Sequence, residues 1–137
     1  MTEPLNHHAA LIYVMVASSG VDHAMTHDEF ARIGEIVSHL PVFADCDENG
    51  LFKAAESCSE ILSADDGLQQ VLRLVREALP EKLRETAYAV ALEVAAADRQ
   101  IKPEEIRFIE MLGDTLELDR MTTAAIERGI RARNMTL

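Results

Sequence analysis

Apolar positions along this chain recur at helical spacing, and no stretch alternates as a strand would. Two segments depart from the usual one-sided stripe. Leu11 to Ala17 is apolar on every side, and Ala87 to Ala97 nearly so, with Glu93 the one charge inside it. A helix without a polar face is buried all round. These two helices are therefore expected at the centre of the fold. The small residues of the second (Ala87, Ala89, Ala91, Ala95, Ala96 and Ala97) would let neighbouring backbones approach closely.

The remaining helices follow from stripes and stop signals. The first should run from about Leu5 to Ser19 and end at Gly20. Thr26 and Glu29 form the T-x-x-E pattern of a capping box, which opens a second helix carrying Phe30, Ile33, Ile36, Val37 and Leu40. Pro41 ends it. After a polar link, a third helix reaches about Leu62, with Leu51, Ala54, Ala55, Cys58, Ile61 and Leu62 inward. Ser63 is the expected N-cap of a fourth helix through Leu79, with Asp65 and Asp66 near its positive end. Pro80 is expected in the first turn of the fifth. Pro103 opens the sixth, which carries Ile106, Ile109, Met111, Leu112 and Leu116. Asp119 or Thr122 caps a last helix that ends near Asn134. The expectation is an all-α bundle of about seven helices.

An internal repeat organises these elements. Asp22 and Asp98 lie 76 residues apart, as do Glu29 and Glu105. At that offset, without gaps, Val14 falls on Val90, Met25 on Ile101, Ile33 on Ile109 and Leu40 on Leu116. Each copy is an apolar helix, a corner bearing an aspartate, and a second helix opening on acids. Two copies are too few for a solenoid. The halves, about 9–41 and 85–117, are read as a pseudo-twofold pair around the two apolar helices, within one domain spanning 1–137.

Charge changes the picture of partners. The chain carries a formal net charge of −11, very unevenly spread. Residues 1–67 hold 2 Lys/Arg against 12 Asp/Glu, and residues 68–137 hold 11 against 12. An acidic half argues against nucleic acid, whose phosphates need a basic footprint. It suits cations or a basic protein partner, and a homodimer is compatible with it. The run from Ala9 to Val16 is too short to span a bilayer, and the segment before it carries Glu3 and no Lys or Arg. A cytoplasmic protein without a transmembrane segment is expected. Cys46 and Cys58 form no C-x-x-C pair, and Cys58 lies on the inward face of its helix.

The run A-A-A-D, then an apolar residue and P-E-E opening the next helix (Ala95 to Asp98, Ile101, Pro103 to Glu105), resembles the TerB-like family associated with tellurite resistance. The resemblance covers roughly Ala9 to Arg133. It implies an all-helical, bacterial domain with a role in metal-ion or stress response and no catalytic activity to transfer. The family's A-D-G corner stands here as Ala97-Asp98-Arg99 and as Val21-Asp22-His23, without the glycine in either copy.

Three groups of residues carry candidate chemistry. The corner acids Asp22 with Glu29 and Asp98 with Glu105 could offer four carboxylates to a divalent cation, calcium, magnesium or zinc. Calcium and magnesium, as hard cations, take several oxygen ligands. The same residues also suit helix caps. The string Asp45 to Glu56 matches a calcium-loop pattern, with Asp45, Asp47, Asn49 and Glu56 as oxygen donors and Gly50 at the turn. Pro41 just upstream argues against the entering helix such a loop needs, so capping of the third helix is the competing reading. His23 and His27, four apart and near Asp22 and Asp28, could hold zinc or another transition metal, but Thr26 as N-cap puts His23 outside the helix, and solvated histidines are the favoured reading. His7, His8 and His39 show no partner in sequence. With no phosphate loop, nucleophile elbow or H-E-x-x-H, the chain is not expected to be an enzyme.

Overall fold

Asn6 opens the first helix, its side-chain oxygen accepting from the Ala9 N–H at 2.8 Å. The computed structural model describes residues 5–20, 25–97 and 101–137. Its helices are α1 (His7–Ser19), α2 (His27–His39), α3 (Glu48–Leu62), α4 (Gly67–Ala78), α5 (Arg84–Ala96), α6 (Pro103–Thr115) and α7 (Arg120–Arg133). Short 3-10 turns, Pro41–Phe43 and Glu81–Leu83, precede α3 and α5. Among the described residues there is no strand.

The two apolar helices form the centre. Every residue of α1 from Ala10 to Ser19 is buried. In α5, Ala87, Tyr88, Val90, Ala91, Leu92, Val94 and Ala95 are buried. The two helices pack on each other. α1 also packs on α3 and α4, and α5 on α6 and α7. The Ser18 hydroxyl, fully buried, donates to the Ala91 carbonyl at 2.8 Å, so this buried polar group has its partner. α1 touches α6 and α5 touches α2, so each apolar helix meets the second helix of the other copy. The bounds of α2 and α6 coincide under the 76-residue offset, residue for residue.

Helix starts follow the local chemistry in most places. Thr26 and Glu29 form both arms of the capping box. Pro103 occupies the first turn of α6, and Asp119 caps α7 by accepting from the Thr122 N–H at 2.7 Å. Two starts differ from the sequence reading. Ser63 closes α3 instead of opening α4, with its N–H bonded to the Ser59 and Glu60 carbonyls and its hydroxyl donating to Glu60 at 2.6 Å. α4 begins at Gly67 after a tight turn. There a Cβ would lie 2.7 Å from Leu62 Cα, and the Ile61 carbonyl is closer still. Pro80 precedes the 3-10 turn, and α5 begins only at Arg84.

α6 ends in a Schellman motif. The Leu118 N–H reaches the Gly113 carbonyl and the Glu117 N–H reaches Asp114, both at 3.1 Å. Glu117 takes the left-handed position usually given to glycine, at φ 58°. Two arginines close this end. Arg76 donates to the Thr115 carbonyl and pairs with the Glu117 carboxylate at 2.8 Å, and Arg84 donates to the Leu116 carbonyl at 3.2 Å. The guanidinium beside it holds the exposed Glu117 carboxyl below its usual range.

Candidate functional site

The repeat makes the two corners equivalent in sequence, and the structure separates them. Glu29 sits half-buried in the first turn of α2, where its carboxylate accepts from the Thr26 N–H at 2.8 Å. Its counterpart Glu105 stands in the first turn of α6 behind Lys102, which lends no side-chain cap, and is only 4% exposed. A carboxylate withdrawn this far from water is costly to keep charged unless hydrogen bonds and opposite charge compensate. Asp22, His23 and Asp98 lie outside the described residues. Among the described residues, no three His, Cys, Asp or Glu side chains are grouped so as to hold a metal ion.

The segment Asp45 to Glu56 is the start of a helix. Asp47 is its N-cap, accepting from the Gly50 N–H at 2.6 Å, and α3 runs from Glu48. Asn49 and Glu56 therefore stand roughly 10 Å apart along the helix axis, and the four oxygen donors are not brought together. His27 is exposed at the start of α2. Two other histidines have partners that the sequence did not suggest. His8 Nε2 donates to the Val42 carbonyl at 2.8 Å, with its ring 5.7 Å from that of Phe43. His39 Nδ1 donates to the Glu35 carbonyl at 2.7 Å.

Cys58 is fully buried, donates to the Tyr13 carbonyl at 3.6 Å, and has its thiol pushed up to about 12 by burial. Tyr88, on α5, donates to the Glu127 carboxylate of α7 at 2.7 Å. Burial first, and then that acceptor carboxylate, raise its pKa above the ordinary tyrosine value.

The feature least visible in the sequence is a groove of about 700 Å³ between α2 and the beginning of α3. Val37, Phe43 and Leu51 form its buried floor. Phe30 and Phe52 stand at its side, edge to face with ring centroids 6.2 Å apart, and Phe52 is 57% exposed. Cys46, Asp47 and Glu48 complete the rim. One clue was present in the chain: Phe52 is an aromatic residue outside the inward stripe of α3. A second depression, of about 1050 Å³, lies among α5, α6 and α7, and the chain's own Met135 and Leu137 line part of it.

These features define a class: an all-helical domain in which α2 and α6 each open on carboxylates. The family model described as tellurite resistance protein TerB matches residues 8–128, and the chain belongs to that family. Neither the comparison with curated proteins nor that with solved structures gives a match. No helix of the described residues is long and apolar enough to cross a membrane.

Proposed function

We propose that this TerB-family domain acts in a stress response of the tellurite-resistance type, without catalysing a reaction, as a module whose corner carboxylates take a divalent cation. The residues concerned are Asp22 with Glu29 and Asp98 with Glu105. What supports the reading is the burial of Glu105 at the entry to α6. A carboxylate in the first turn of a helix lies at its positive end, and divalent cations take carboxylate oxygens readily.

The test is the melting temperature of chelator-treated protein against added calcium, magnesium, manganese and zinc. Cation binding to the folded state alone adds about 2.7 kcal/mol at a hundred times Kd, so the shift should climb with metal concentration. It should vanish in Asp22→Asn/Asp98→Asn and shrink in Glu105→Gln. A shift that survives those changes but is lost in Asp45→Asn would place the ion on the Asp45–Glu56 segment. The absence of any shift would sink the cation reading.

A second reading, an acidic module that docks a basic partner and uses its corners only as helix caps, is favoured by the complete capping box at Thr26 and Glu29. On that reading the corner variants lose stability with no metal present. Partner binding then weakens with added salt.

A further inference from the structure

A glycine in the middle of a helix costs about 1 kcal/mol relative to alanine, and Gly34 lies in the middle of α2. It faces α3: a Cβ there would meet only Leu51 Cδ2, at 3.8 Å. The room left by the missing side chain, together with the small Ala31 three positions earlier, gives the groove its depth. Its floor is apolar and Phe52 stands at its edge largely in water, where a large apolar side chain gains nothing in the isolated chain. From Asp28 to Glu48 the chain carries six carboxylates against the single Arg32. The charge along this stretch is mostly negative, and Asp47 and Glu48 line the groove itself.

We propose that this groove docks a basic amphipathic helix of a partner protein. Phe30, Phe52 and the floor take its apolar face, and the surrounding carboxylates take its lysines and arginines. Helix-in-groove recognition works by a few apolar anchors at i, i+3 or i+4, and i+7 set into an apolar trough. Opposite charge at the rim steers encounter and fixes orientation. An acidic peptide or a nucleic acid would meet like charge at Asp47 and Glu48. The competing occupant is a second copy of this chain, whose α7 carries Arg120, Arg128, Arg131 and Arg133. Of these, Arg133 is already paired with Glu93 at 2.7 Å. A foreign basic helix needs no such pair to be broken. Neither Glu29 nor Glu105 lines the groove, so the inference does not depend on a cation bound by them.

The experiment uses the full chain and a fluorescent synthetic Leu/Lys amphipathic helical peptide, read by anisotropy, with a Leu/Glu peptide of the same pattern as control. The Leu/Lys peptide should bind, more weakly as salt rises, and the Leu/Glu peptide should not. Gly34→Met fills the groove while improving helix propensity, so it should keep or raise the melting temperature and abolish binding. Phe52→Ala, at an exposed site, should leave folding intact and weaken binding about tenfold or more. Cys46, on the rim, should react more slowly with a thiol reagent when the peptide is bound. Unchanged affinity in both variants would overturn the proposal. A wild-type dimer in sedimentation, dissociated by Phe52→Ala, would also overturn it in favour of a second copy.

Discussion

Replacing Gly67 by alanine tests the tightest corner of the fold against a control that the protein supplies itself. At Gly67 a new methyl group would sit 2.7 Å from Leu62 Cα and 2.9 Å from Leu62 C, with the Ile61 carbonyl nearer still. All three neighbours are backbone atoms, so no side-chain rotation relieves the overlap. Either α4 must move away from the end of α3, or the turn at 63–66 must open. Forced overpacking of this kind costs about 1–3 kcal/mol, which outweighs the gain of at most about 1 kcal/mol from alanine's helix propensity. At Gly129, inside α7, a Cβ meets nothing within 4 Å. There the propensity gain stands alone, and Gly129→Ala should stabilise by about 1 kcal/mol. The same chemical change is therefore expected to carry opposite signs at two helical sites. Urea unfolding followed by far-UV circular dichroism would give both values at constant m. In a thermal melt, each kcal/mol should move Tm by roughly 3–5 °C for a domain of this size. Gly67→Ala at or above wild-type stability would refute the close approach of α4 to α3.

Three further outcomes follow from the buried thiol and the caps. The Cys58 thiol is held at about 12 in the fold against an ordinary 9.0. A raised folded pKa means that its contribution is intact below pH 9 and is lost as pH rises toward 12. By linkage the loss approaches about 4 kcal/mol at the upper end. Urea titrations across that range should show wild type losing stability more steeply than Cys58→Ala, and parallel curves would contradict the burial. Thr26→Ala removes the hydroxyl that accepts from the Glu29 N–H at 3.2 Å and should cost about 1 kcal/mol in the same assay. Ser63→Ala should not behave as the loss of an N-cap to α4, because that hydroxyl is bonded back to Glu60.

The helices were legible in the chain to the extent that their causes are local. The T-x-x-E box at Thr26, Pro103 in a first turn, and Asp119 before α7 each act within one turn of their own position. Where the reading slipped, two local causes competed for the same residue. Ser63 can cap the helix after it or close the helix before it, and the choice fell to the tight turn that Gly67 permits. Pro80 suits either the first turn of an α-helix or the residue before a 3-10 turn, and here it precedes the turn Glu81–Leu83.

What the sequence determined by itself is therefore the class of the fold. Two all-apolar segments must be central, the stripes of the others must face them, and the 76-residue offset relates the halves. Hydrophobic periodicity encodes which side of each helix leaves water, and this requires no knowledge of the neighbour. The tertiary structure alone decided what the faces meet. It buried Glu105 while leaving its repeat-mate Glu29 at a cap, and carried Arg76 and Arg84 to the end of α6 some 30 to 40 residues away in the chain. It also stood Phe52 at the mouth of a groove. The repeat does not by itself fix these surroundings, because helices outside it pack on the two halves: α3 on α1, α7 on α5, and α4 on both α1 and α6.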